Sequence, residues 1–410
     1  MLNRKHLGNA ALGAVVCILS GAAALRGEVL KETDQKKIAK DVAAYWRAKT
    51  EVKGIQAAFD KLSETLEKTQ GRMKGQELAA LVEDWEKIFF YSTLELLDDK
   101  TKRGKVESRK GEDPKGEPMG YSYHVPKKYL PKEGPYPILL IVADEGVDPA
   151  LHLDGEWADP TLRDTAILFA VKMRTPSSDW SGEKGVFDVM SGFSIVTQTF
   201  AIDYDRVFLV GSGKGFQAAA ATVNAFPHLF AGLIGRGEIA DAGAQNLRNL
   251  PSLLTTDGEG AQAFKKRIEE LEFGNCQVAA NGGPAEIVAW IQDRRRDAYP
   301  AHLSFAPTLQ SSRGAHWIRL DRMSVQEGPR VDVKVDRASN TITVDAQKVG
   351  VIEINFNDLI VDLSKPVKVV VNGAVHEGVP PRNRRTMIDL VYDQGDWGRV
   401  FTSSQSYDVK

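Results

Sequence analysis

The chain reads as an α/β protein whose mostly parallel sheet is covered on both faces, with a helical segment before it and a small β module after it. Three observations predict this. From Ile138 to Ala280, short apolar runs alternate with helix-length stretches: Ile138–Ala143, Ile167–Val171, Val207–Val210, Leu233–Ile234, Leu253–Leu254 and Gln277–Ala280. Strands that are apolar on both sides belong to a sheet buried on both faces, and helices between them imply parallel pairing. Before that region apolar residues recur at helical spacing, and beyond Pro300 they alternate with period two.

Composition sets the outer bounds. A chain of 410 residues exceeds one compact core. With 42% hydrophobic and 26% charged residues it has the make-up of a globular protein rather than a disordered one. A formal net charge of -2 offers a polyanion little attraction, so nucleic acid is not an expected partner.

Residues 1–27 have the pattern of a signal peptide: Arg4 and Lys5, an apolar stretch from Ala10 to Leu19, and the small residues Ala22-Ala23-Ala24. Export to the periplasm or beyond is the expectation. The apolar run is short and rich in Gly and Ala for a span, which needs about 20 residues; retention as an uncleaved anchor is the alternative. Cys17 lies inside this run, followed by Ile18 and Leu19, which suits lipid modification poorly. The remaining thiol, Cys276, sits in an apolar strand and reads as structural.

A helical region, residues 28–100, follows. Ile38, Val42 and Tyr45 form one stripe behind a Thr33 cap; Val52, Ile55, Phe59, Leu62 and Leu66 form a second, and Leu78, Leu81, Trp85 and Ile88 a third. Charged residues with Gly and Pro mark residues 101–118 as a linker. The sheet domain then covers residues 119–305 and the β module residues 306–410. In the module Val331, Val333 and Val335, then Ile342 and Val344, then Ile352, Ile354 and Phe356 alternate, and Asn372-Gly373 signals a tight hairpin.

The stretch Asp203-Tyr204-Asp205-Arg206-Val207-Phe208-Leu209-Val210-Gly211-Ser212-Gly213-Lys214-Gly215 resembles the strand, elbow and helix of secreted bacterial α/β-hydrolases of esterase-like and peptidase-like kind. Tyr123–Tyr129, Pro137–Ala143 and Ala225–Phe230 resemble flanking parts of that family, and the resemblance covers a little under half the chain. It implies a Gly-x-Ser-x-Gly elbow, a histidine base and backbone donors for an oxyanion.

All three positions depart. Gly211 and Gly215 fix the elbow frame, and the nucleophile position between them is Gly213. Taking Ser212 as the nucleophile would put Val210 and Lys214 where small residues are needed. The oxyanion loop reads Ala143-Asp144-Glu145-Gly146, and its carboxylates would oppose an oxyanion unless they point into solvent. The base should fall near Asn281-Gly282-Gly283-Pro284, where there is no histidine; His124, His152, His228, His302, His316 and His376 lie elsewhere and read as structural. Asp257 and Glu259 could take the acid position, but without a histidine they orient nothing.

Other motifs fail on particular residues. Phe208 and Gly215 break the phosphate-loop pattern and Phe216 the dinucleotide fingerprint, while no His or Cys spacing suits a metal, so no cofactor or metal is expected. Arg294-Arg295-Arg296 at a helix end reads as structural. Three functions remain. The first is a non-catalytic exported pseudo-hydrolase that binds or scaffolds a protein or polymer ligand. The second is an active esterase or serine peptidase with a non-standard constellation around Ser212. The third is adhesion by the β module, for which Tyr392, Trp397 and Tyr407 are the available aromatics. Because the base and oxyanion positions also depart, a single Gly213→Ser reversion is not expected to restore activity.

Overall fold

A computed structural model describes residues 29–409 of the chain. The expected export segment, with Arg4, Lys5 and Ala10–Leu19, lies outside the described residues. Among the described residues no helix is long and apolar enough to cross a membrane.

Three helices come first: α1 (Glu32–Glu51), α2 (Ile55–Arg72) and α3 (Val82–Leu96). Their buried faces carry Ile38, Val42, Tyr45, Leu62, Leu66, Trp85 and Ile88, as the spacing predicts. The ends differ from the sequence reading. Thr33 does not cap α1, which starts after Lys31 without a side-chain cap, because Asp84 fixes the incoming chain by accepting from the Val29 and Leu30 amides at 3.0 and 2.9 Å. Val52 is the left-handed residue closing α1 and is exposed. Leu78 and Leu81 are buried or half-buried in the turn before α3.

The central sheet has eight strands. They are β1 (Val106–Glu112), β2 (Pro118–His124), β3 (Tyr136–Val142), β4 (Ile167–Val171), β5 (Ile202–Gly213), β6 (Gly232–Ile239), β7 (Ser252–Leu254) and β8 (Cys276–Val278), in the order β1-β2-β4-β3-β5-β6-β7-β8. β3 to β8 pair in parallel and β1 and β2 antiparallel at one edge. Each apolar run singled out in the sequence is one of these strands. The stretch read as a linker is not free chain, since β1 lies within it; a polar strand paired on one side lacks the apolar alternation that would announce it.

Helices cover both faces. On one lie α6 (Glu183–Thr199), α7 (Gly215–Ala225) and α8 (Glu259–Glu270), packing Phe193, Phe216 and Phe264 against Ile138, Leu140 and Leu209. On the other lie α4 (Pro149–Gly155), α5 (Pro160–Thr165) and α9 (Pro284–Gln292), with Leu153, Trp157, Leu162 and Trp290 against Leu139, Ile141 and Val210.

Two further sheets close on one core in the C-terminal module. One holds β10 (Gly314–Ala315), β11 (Ile318–Met323), β14 (Val349–Phe356) and β17 (Ser403–Asp408); the other holds β9 (His302–Phe305), β12 (Arg330–Asp336), β13 (Thr341–Gln347), β15 (Val367–Val371) and β16 (Ala374–Gly378). Since β9 pairs with β12, the module starts ahead of residue 306. Asn372 and Gly373 both have positive φ and turn β15 into β16, as their hairpin signal requires. Helix α10 (Arg384–Gln394) leaves the module and buries Met387, Ile388 and Val391 among Ile38, Val42, Trp85 and Phe89. The N-terminal helices and the end of the chain thus share a core.

Candidate functional site

The strand-to-helix turn is built by its glycines. A Cβ on Gly211 would lie 2.4 Å from the Phe216 Cα, and one on Gly215 would lie 2.3 Å from the Val142 carbonyl oxygen. Only glycine lets α7 fold back this closely onto β5 and β3. At the tip Gly213 has φ +56, a left-handed value that side chains rarely adopt. A Cβ there would stand 2.3 Å from the Asp144 carboxyl group.

Asp144 is the decisive neighbour. Its Oδ1 accepts the Lys214 amide at 2.9 Å and the Glu145 amide at 2.7 Å. Lys214 directly follows the nucleophile position and Glu145 belongs to the loop after β3, so these are the two places from which a hydrolase elbow draws its oxyanion donors. Both donors are engaged by a carboxylate of the chain itself. Above it Glu145 accepts from Lys214 Nζ and from the Ser177 hydroxyl, each at 2.5 Å. These bonds hold the Glu145 carboxyl below its usual range, the Lys214 bond chief among them, and keep the Lys214 ammonium above its own. The two loop carboxylates therefore turn inward onto the elbow.

Sheet order, crossing helices and glycine elbow together decide the fold. The central domain is an α/β-hydrolase fold. No family model matches the chain, and no curated protein matches it. Solved structures do: a thermostable esterase at 18% identity and TM-score 0.39, over 47% of this chain and 64% of that one; a ferulic acid esterase at 12% and 0.35, over 46% and 94%; and an S-formylglutathione hydrolase from Staphylococcus aureus at 12% and 0.35, over 47% and 96%.

Within this α/β-hydrolase domain Ser212 lies next to the tip but faces away from it. Successive strand residues point to opposite faces; the Cβ direction of Gly211 leads to α7, so Ser212 turns with Val210 toward the opposite layer. Its hydroxyl is buried without a hydrogen-bond partner, histidine included. His152 in α4 has both ring nitrogens engaged: Nε2 accepts from the Trp157 indole at 2.9 Å, and Nδ1 faces Glu156 at 3.2 Å. Glu156 in turn pairs with Arg236, the residue in register with Ser212 on β6.

The other candidates are dispersed. Asp257, between β7 and α8, and Glu259, the first residue of α8, are both exposed. Asn281 makes a left-handed turn at the expected base loop. His124 is buried in β2, its pKa lowered to about 4 by burial with Arg163 adding to it. His302 meets Asp332 at 2.9 Å in the β module, and His376 packs on Tyr407. The arginines make structural contacts: half-buried Arg294 stacks over Trp290, exposed Arg295 pairs with Asp203, and Arg296 is buried. Trp397 packs between Phe90 and Tyr204, and Tyr392 against Trp46. Burial pushes the Cys276 thiol up to about 11. Among the described residues no three of His, Cys, Asp and Glu converge as a metal site requires.

Asp144 opposes an oxyanion, as its position in the loop predicts, but by taking up both donor amides itself, which the sequence does not reveal. The available signal was an acidic pair placed where a donor loop is expected.

Proposed function

We propose that this chain is an exported pseudo-hydrolase, whose α/β-hydrolase domain has lost acyl-transfer chemistry and serves to bind or scaffold a protein or polymer. The observation that carries the reading is the Asp144 Oδ1 hydrogen-bonded to both the Glu145 and Lys214 amides. A tetrahedral intermediate needs those donors for its own oxyanion, and a fixed negative charge in their place raises the barrier instead of lowering it. Gly213 supplies no nucleophile, and the Ser212 hydroxyl has no base within reach.

Turnover of aryl esters and of chromogenic peptides by the purified chain tests the reading. The expected rate is that of buffer alone, for the native chain and for Gly213→Ser alike. Hydrolysis by the native chain that disappears in Ser212→Ala would replace this function with an active hydrolase of non-standard constellation.

A further inference from the structure

The α/β-hydrolase domain and the β module meet across a buried seam. His228, in the turn after α7, and His316, between β10 and β11, face each other there with ring centroids 6.4 Å apart. Both rings are at least nine-tenths buried, and in each the Nδ1 atom has no hydrogen-bond partner. Such orphaned ring atoms are rare and call for a reason.

Each ring sits beside a fixed cation. Arg296 donates from Nη1 to the His228 carbonyl at 2.8 Å and to Asp396 at 2.6 Å, and from Nε to Asp205 at 3.0 Å. Arg399 donates from Nη1 to the His316 carbonyl at 2.8 Å and from Nε to Asp396 at 2.8 Å. Arg296 and Asp205 belong to the hydrolase domain, and Asp396, Arg399 and His316 to the far side of the seam. Two arginines and two aspartates balance only while both imidazoles are neutral. A proton on either ring adds a buried positive charge with no partner.

We propose that this seam is an acid-operated latch, closed by neutral His228 and His316 and opened when solvent protons bind them. The chemistry is proton uptake alone, one at each Nδ1 as water reaches it.

Most of the groups facing the pair act in the same direction. Burial holds both histidines well below their ordinary value, and Arg399 and Arg296 add to this; only the Asp297 backbone at the His316 ring opposes. Asp205 is raised by burial, so acid removes a balancing charge as well. Burial acts to raise Asp396 too, but Arg296 and Arg399 keep it ionised. Glu86, under Tyr299, is raised by burial and by Asp205 to about 8 and carries its proton throughout the acid range. Below the ordinary histidine pKa of about 6.5, each proton gained on opening favours the open form about tenfold per pH unit, and two favour it about a hundredfold.

Hydrogen exchange in the full chain tests the latch. The readout is the Ala306 and Val400 amides, which bond Asn246 and the Tyr299 hydroxyl across the seam, against the β5 amides of residues 207–211, each corrected for intrinsic exchange between pH 7.5 and 4.5. The latch requires the seam amides to lose protection below pH 6.5 by up to about a hundredfold per pH unit while β5 stays protected. A double variant, His228→Phe with His316→Asn, should flatten that slope; asparagine tolerates the φ of +53 at position 316. Seam and β5 amides losing protection together in the native chain would overturn the proposal, even if the variant failed to fold. So would a folded double variant with the native slope.

Discussion

Gly213 has φ +56 and would point a Cβ into the Asp144 carboxyl group at 2.3 Å, so restoring a serine there meets both a backbone and a steric obstacle. Gly213→Ser should lower unfolding stability by about 1–2 kcal/mol for the left-handed backbone alone, and by more while Asp144 remains. Adding Asp144→Ala should recover the steric part, which urea unfolding of the two variants would reveal. The substituted nucleophile was legible because glycines at 211 and 215 fix the frame around position 213. The occupied donor pair was not. Two carboxylates in a loop can point to solvent or inward, and only the close approach of β3 to the elbow places Asp144 Oδ1 between the Glu145 and Lys214 amides.

The parallel strands were readable from the sequence because burial on both faces forces continuous apolar runs such as Ile138–Val142 and Val207–Val210. β1 was not: Val-Glu-Ser-Arg-Lys-Gly-Glu pairs only with β2, and its polar residues keep an edge strand soluble. The start of α1 escaped for a related reason, since Asp84, far along the chain, fixes it in place of a local cap. Elbow packing gives the prediction at this scale. Gly211→Ala and Gly215→Ala would each drive a methyl into backbone, which cannot rotate away, and should cost about 1–3 kcal/mol or more. Thermal unfolding should rank both at least as damaging as Gly213→Ala, whose nearest obstacle is a side chain.

Across the whole molecule the three regions are bound by contacts remote in sequence, which no local pattern reveals: α10 completes the N-terminal helical core, and Arg296 joins Asp205 to Asp396. Arg296→Met would leave Asp396 buried beside Arg399 alone and should destabilise the chain by about 3–5 kcal/mol in chemical unfolding. Stability should also depend on pH in a defined sense. Burial pulls His124 to about 4 and His316 to about 3, against about 6.5 in unfolded chain. Below pH 6.5 the unfolded chain binds the extra protons, so this stability is present above that value and lost as pH falls, by up to about 1.4 kcal/mol per pH unit for each group. Glu86, raised to about 8 by burial, acts in reverse: its contribution is present below about 4.5 and lost as pH rises toward 8. The urea midpoint should therefore peak near pH 6.5. The central claim, that the α/β-hydrolase elbow carries no usable nucleophile, is tested most directly by treating the native chain with a fluorophosphonate probe and measuring its intact mass. The account predicts an unchanged mass; a stoichiometric adduct mapped to Ser212 would contradict it.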